Sequence, residues 1–282
     1  MKQKICLTIA GLDPSGGAGV IADIKTFAAF RCYAAAAIVS VTFQNTQGVF
    51  GAENLSAETV RNQVLPILDD FKVDALKTGM LPTREIIEEV ARIVAENNLQ
   101  NFVVDPVVRS TSGFDLIDDK ALRVLIEKLF PLSVVITPNI PEAERITNIK
   151  IKTVENVRKA AKMMQKFGAK NVLIKGGHLP FGDLEYDSGD AESNTKVHNG
   201  RKAIDFLFMG NEELRFEADF IETTATHGTG CTFAAAIVAC LANGKNLPEA
   251  VEAAKRFVTE AILTAPNLGR GHSPINHLIR EF

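Results

Sequence analysis

Residues 5 to 30 read ICLTIAGLDPSGGAGVIADIKTFAAF. Ile5 to Ala10 is short, apolar and β-branched enough to be a buried strand, and Ala18 to Phe30 places its apolar residues at helical spacing. Between them lie Asp13, Pro14, Ser15 and glycines at 16, 17 and 19, the composition of a tight loop. This strand, loop and helix order then recurs along the chain. Further strands are expected at Ala36 to Phe43, Val73 to Thr78, Asn101 to Asp105, Ser133 to Thr137 and Asn171 to Lys175. Helices are expected at Ala57 to Phe71, Arg84 to Asn97, Asp119 to Phe130 and Val154 to Phe167. Ser56, Thr83, Asp118 and Thr153 stand at N-cap positions, and Gly168 stands where a left-handed residue ends a helix. Such alternation predicts an α/β fold with a parallel sheet covered on both faces.

From Leu179 to Asn211 the pattern gives way to a polar, Gly-, Asp- and Ser-rich stretch that reads as a surface loop rather than a linker. Two short strands, Ala203 to Phe208 and Glu213 to Phe216, are expected around Met209-Gly210-Asn211, followed by helices at Thr229 to Asn243 and Pro248 to Ala265. The 282 residues are therefore read as one domain. A net charge of −3 gives no basic footprint for nucleic acid. No apolar run reaches the roughly 18 residues of a spanning helix, and the first residues do not read as a signal peptide. A cytoplasmic protein is expected. The four cysteines contain no CxxC pair, so neither zinc nor a redox motif is indicated.

Ligands of open parallel sheets bind beyond the carboxyl ends of the strands. Those ends carry Gly11-Leu12-Asp13, Gln44-Asn45, Thr78-Gly79-Met80, Asp105-Pro106, Thr137-Pro138-Asn139 and Lys175-Gly176-Gly177. The sharpest local signal is THGTGCTFAAAIVACLA, residues 226 to 242, where Gly228 and Gly230 open an Ala-rich helix. Unpaired N–H groups at the positive end of a helix suit a phosphate, although a tight helix entry also uses glycine. Cys231 lies just inside that helix, where the dipole is expected to lower its pKa and supply a thiolate; a core cysteine is the plainer reading. Asp105 and Glu142 are candidates for a divalent cation, with Glu142 alternatively a first-turn helix residue. Lys175, followed by two glycines, is a candidate for phosphate, or else an exposed lysine at a strand end. His178 and His227 are read as hydrogen-bonding and packing residues.

Seven motifs occur in order: AGLDPSGGAGVIADIKTF, FQNTQGV, VDALKTGML, DPVV with a following Ser-Gly, TPNIPEAE, VLIKGGH and THGTGCT. Together they resemble the hydroxymethylpyrimidine and phosphomethylpyrimidine kinases of thiamine biosynthesis, within the ribokinase-like superfamily. The resemblance implies a three-layer α/β/α fold, ATP with Mg²⁺, and two successive phosphorylations of a small aminopyrimidine alcohol. It assigns the pyrimidine pocket to Gly11, Asp23, Gln44, Met80 and Val107. It gives the anion hole to Gly228, Thr229 and Gly230, with Cys231 as the base. Asn139, Lys175, Gly176 and Thr226 go to the nucleotide, and Asp105 and Glu142 to the metal. A homodimer is also implied.

The chain departs from the family pattern at Ile21, in the flap Val108 to Gly113 with Arg109, at Glu222 to Thr226, and in a long loop from Leu184 to Lys202. Two other functions compete with this one. A pyridoxal or pyridoxine kinase would phosphorylate a similar hydroxymethyl group, but the second cysteine it would carry in the flap is absent. A non-catalytic pyrimidine sensor is disfavoured by the intact glycines and Cys231.

Overall fold

A computed structural model describes residues 3–108, 115–177 and 195–279. The strands are β1 Ile5–Leu12, β2 Tyr33–Asn45, β3 Gly48–Asn54, β4 Ala75–Thr78, β5 Phe102–Val104, β6 Val135–Ile136, β7 Asn171–Ile174, β8 Thr195–Met209 and β9 Glu212–Thr223. The helices are α1 Gly19–Ala29, α2 Ala57–Asp70, α3 Arg84–Glu96, α4 Asp119–Leu129, α5 Ile140–Thr147, α6 Val154–Lys166, α7 Thr229–Ala242 and α8 Leu247–Leu263. One nine-stranded sheet runs β3-β2-β1-β4-β5-β6-β7-β8-β9. The strands from β2 to β7 pair in parallel, and β3, β8 and β9 are antiparallel additions at the two edges.

Period-two side-chain alternation divides the core. Leu7, Ile9, Leu76, Val104, Ile136, Val172 and Ile174 face the layer of α2 to α6. Their neighbours Cys6, Ala75, Val103, Val135 and Leu173 face α1, α7 and α8. The result is the expected three-layer α/β/α, ribokinase-like architecture. Helix α7 carries no charged residue, and Thr232 through Ala242 are all buried. Its alanines let it lie close against the sheet, so its first turn reaches the strand ends.

Local signals held where backbone chemistry is explicit. Ser56, Thr83, Asp118 and Thr153 each accept an N–H bond in the first turn of α2, α3, α4 and α6, and Gly168 has φ of 103°. The β8–β9 turn is Gly210-Asn211, with Gly210 at φ 58°. Boundaries shifted by a few residues elsewhere.

Three elements differ from expectation. Strand β3 was not anticipated, because GVFGAEN has two glycines and exposes Phe50, as an edge strand can. Helix α5 spans only two turns and falls below the length at which periodicity is informative. Strand β8 begins at Thr195, so the polar stretch taken for loop is strand over its last part; cross-strand pairing with β9 overrides its composition. His178, Arg109 with the rest of 109–113, and the loop over 184–194 lie outside the described residues.

Candidate active site

The strand order reverses between β1 and β4: β2 and β3 extend the sheet to one side of β1, and β4 and its successors extend it to the other. A crevice belongs at such a point. A cavity of about 1050 Å³ opens there, against the carboxyl ends of the parallel strands and the start of α7.

Gly228 caps α7 with φ of 84° in the left-handed region, without any side-chain cap. A Cβ at that position would collide with the carbonyl oxygen of Gly17, so only glycine lets the two glycine-rich turns meet. Thr229 spends its hydroxyl on the Thr226 carbonyl at 3.0 Å, which ties the turn shut. A Cβ on Gly230 would sit 3.3 Å from Lys175 Nζ. The lysine ammonium therefore reaches the same spot as the first-turn N–H groups of α7, which adds a full positive charge to the helix dipole. Thr226, Gly228, Thr229, Gly230 and Cys231 all line the cavity.

Lys175 is held, not free: its Nζ donates to Asp105 Oδ1 at 2.9 Å, and the side chain is 12% exposed. Thr137 donates its hydroxyl to the same oxygen at 3.0 Å. Asn139 caps α5 by accepting from the Glu142 N–H at 2.9 Å, while Glu142 Oε2 accepts from the Asn139 N–H at 2.7 Å. Glu142 is thus a first-turn capping residue and a cavity residue at once. Burial pushes its carboxyl up to about 7; nearby Lys175 opposes the rise and Asp105 adds to it. Among the described residues no three His, Cys, Asp or Glu side chains gather into a metal cage. Two carboxylates on one wall, next to an anion-binding turn, nevertheless fit magnesium, which takes few protein ligands and completes its shell with water and phosphate.

Cys231 lines the cavity and is half-buried. Its thiol departs from expectation: burial pushes it up to about 12, with Lys77 opposing and Asp23 and Asp105 adding to the rise. Desolvation of the anion outweighs the helix dipole here, so the resting group is the neutral thiol.

Gly11, Gln44, Met80 and Val107 line the same cavity, and Met80 Sδ lies 3.2 Å from a Cβ position on Gly11. Asp23 does not line the cavity. It is fully buried beneath it, accepting from Lys77 Nζ at 2.9 and 3.0 Å and from the Thr8 hydroxyl at 2.6 Å. Burial alone would lower the Lys77 pKa, but the attraction of Asp23 raises it above the usual lysine range. Gly176 also falls outside the lining. Its N–H donates to Asp205 Oδ1 at 2.9 Å, and Asp205 Oδ2 accepts from Lys255 Nζ at 2.7 Å; Gly177 is the lining glycine.

Sequence reasoning missed the role of Asp13 and understated His227. His227 Nε2 lies 2.7 Å from Asp13 Oδ2 and 3.3 Å from Gln44 Nε2, and all three residues line the cavity. Burial would raise the Asp13 pKa, yet hydrogen bonds from His227 and Ser15 hold it below the usual carboxylate value. The available signal was an aspartate directly before a glycine-rich turn and a histidine directly before another.

One turn into α7, Thr232 Oγ1 lies 2.9 Å from His277 Nε2, both buried. Burial, then the charges of Lys25 and His227, lower the His277 pKa from 6.5 to about 4. Between those values the unfolded chain binds a proton that the folded chain does not, so stability falls as pH drops from 6.5 toward 4. The slope from this group is about 1.4 kcal/mol per pH unit at most. Urea unfolding at pH 7 and 4.5 should show His277→Gln losing less stability than the parent; equal losses would remove this histidine from the acid response.

A family model described as phosphomethylpyrimidine kinase matches residues 13–276. The chain is 43% identical over 271 residues to the hydroxymethylpyrimidine/phosphomethylpyrimidine kinase of Bacillus subtilis, covering 96% of this chain and 93% of that one. It is 43% identical over 273 residues to the thiamine biosynthesis bifunctional protein ThiED of Geobacter sulfurreducens, of which it spans 52%. In three dimensions it is similar to the Bacillus subtilis pyridoxal kinase solved as an ADP complex, with a TM-score of 0.84, 37% identity and 98% of each chain covered.

Proposed function

The chain belongs to the phosphomethylpyrimidine kinase family, and from that premise we propose that it phosphorylates 4-amino-5-hydroxymethyl-2-methylpyrimidine with ATP, and then its monophosphate to the diphosphate, for thiamine biosynthesis. It is an ATP-dependent small-molecule kinase. The observation that carries the residue-level reading is the meeting of Lys175 Nζ with Gly230 at the start of α7, on the same cavity as Gln44 and beside Cys231.

Phosphoryl transfer asks a protein mainly for positioning and for stabilisation of charge on the moving group. Gly228 and Gly230 offer backbone N–H groups to that charge, Thr229 closes the turn between them through its own N–H and hydroxyl on the Thr226 carbonyl, and Lys175 offers its ammonium. Asp105 aims the ammonium. Gly11, Gln44, Met80 and Val107 hold the ring, with Gln44 as the polar group. Cys231 takes the hydroxymethyl proton. Asn139, Thr226 and Gly177 stand on the nucleotide side. Asp23 supports the floor through Lys77 and touches no ligand, and Gly176 anchors its turn through Asp205.

Asp105 and Glu142 are the residues that would hold magnesium, which supplies charge neutralisation on the nucleotide phosphates. Activity is therefore expected to vanish in excess chelator and return with added Mg²⁺; full activity in chelator would remove the metal from the scheme. We also read residues 1–282 as one kinase domain working in the cytoplasm as a homodimer. No helix among the described residues is long and apolar enough to cross a membrane.

A pyridoxal kinase is the second reading, favoured by the fold similarity to the Bacillus subtilis enzyme. A coupled ADP-release assay with both alcohols separates the two. The aminopyrimidine is expected to give the higher kcat/KM, and a higher value on pyridoxine would reverse the assignment.

A further inference from the structure

The cluster of Asp13, Thr42, Gln44 and His227 has one consistent arrangement of hydrogens. Asp13 accepts from the Ser15 N–H at 2.8 Å and the Ser15 hydroxyl at 2.7 Å on one oxygen, and from the Ala18 N–H at 2.9 Å on the other. A carboxylate collecting three donors is ionised and can only accept. The 2.7 Å contact with His227 Nε2 therefore requires a hydrogen on that nitrogen. A protonated ring nitrogen has no lone pair left, so it cannot accept from Gln44, and two N–H groups facing each other at 3.3 Å would repel. The group there is therefore the amide oxygen of Gln44, which takes a minor share of the Nε2 hydrogen given mainly to Asp13, since amide N and O positions are assigned from their hydrogen bonds.

Turning the amide in this way also settles its other end. The amide nitrogen then faces Thr42 Oγ1 at 2.9 Å and donates to it, and Thr42 passes its own hydrogen to the Leu12 carbonyl at 3.0 Å. With the opposite orientation the single Thr42 hydrogen would be claimed by two acceptors. The histidine ring edge packs directly against Gly17, where a Cβ would collide with it, and the backbone N–H of His227 donates to the Ser273 carbonyl at 3.2 Å, which fixes the main chain that carries the ring.

We infer that His227, held by Asp13, fixes the Gln44 amide with its oxygen toward the anion-binding turn and its nitrogen toward Thr42, and so selects ligands by the order of donor and acceptor along one edge. This rests on the kinase reading above and adds a positioning residue to it. His227 directly precedes Gly228, so the oxygen end lies beside the phosphorylation point. A matching ligand carries a donor next to the reacting hydroxymethyl arm and an acceptor one atom further on. The 4-amino group and N3 of the aminopyrimidine stand in that order. Its 4-oxo counterpart, with a carbonyl at position 4 and N3–H, presents the reverse order and meets like with like at both points.

The test is calorimetric binding of the two pyrimidine alcohols to the full chain without nucleotide. The parent is expected to prefer the 4-amino compound by at least about 10²-fold, as sites built around buried polar pairs do. His227→Phe keeps a ring against Gly17 but removes the N–H, and its preference should fall below about tenfold. His227→Gln, which restores an N–H donor at similar reach, should recover most of it, which a packing role alone would not give. Should the Phe variant fail to fold, Thr42→Val releases the other end of the amide and leaves Asp13 and His227 paired; its preference should fall as well. A parent that binds both compounds alike, or a preference that survives in a folded His227→Phe or Thr42→Val protein, overturns the inference and leaves the kinase reading standing. A parent that binds neither compound overturns both.

Discussion

Cys231→Ala is expected to lower turnover at least about 10²-fold, the lower range for removing a general base, with pyrimidine binding nearly intact. The thiol sits one residue past Gly230, at the helix entrance that Lys175 reaches, which is where an alcohol attacking a bound phosphoryl group would shed its proton. Its resting pKa of about 12 sets the sign of the pH dependence. At neutral pH the active base is the minor form, so kcat/KM of the parent should climb as pH rises toward that value, roughly tenfold per unit while the thiolate stays scarce. The alanine variant should lose this climb. ADP release across pH 7 to 9.5, with calorimetry for pyrimidine affinity, measures both effects. Unchanged turnover in the variant would take the sulfur out of the reaction.

Lys77→Met is the largest stability change expected. Lys77 and Asp23 are both fully buried, and removing the ammonium leaves the carboxylate with only the Thr8 hydroxyl among its side-chain partners. An uncompensated buried charge of this kind costs about 3–5 kcal/mol. The companion change Asp23→Leu should restore most of the loss, because replacing both ions with apolar groups removes the desolvation cost as well. Denaturant midpoints of the parent, the single and the double variant give the comparison. A single variant within about 1 kcal/mol of the parent would mean that the pair is not ionised in the folded protein.

The sheet, its covering helices and most of the rim were legible in the sequence because they follow from local rules. Six parallel strands were found from short apolar runs, and four N-caps from Ser, Thr or Asp before amphipathic segments. The glycines at 228 and 230 were informative because backbone freedom and close approach leave few alternatives to glycine. What escaped was set by contacts between distant segments. Asp23 reads as a ligand carboxylate until Lys77, 54 residues later, is seen to occupy both its oxygens. The ionisation of Cys231 was misjudged for a related reason: the helix dipole is visible in the sequence, whereas desolvation depends on everything packed around it. Lys77 did carry a warning, since a lysine inside the apolar strand of VDALKTGML demands a buried partner.

The bond from His227 to Asp13 joins residues 214 positions apart. The residues of one flank of the pocket are therefore among the first to be made, but those of the other arrive only when nearly the whole polypeptide has been made. A nascent chain halted before residue 227 would contain the strand segments β1 to β9 but lack α7 and α8, which bury one face of the sheet, and so would have no competent binding crevice. On refolding, ligand capture should accordingly appear as one of the last events, trailing the return of helical signal.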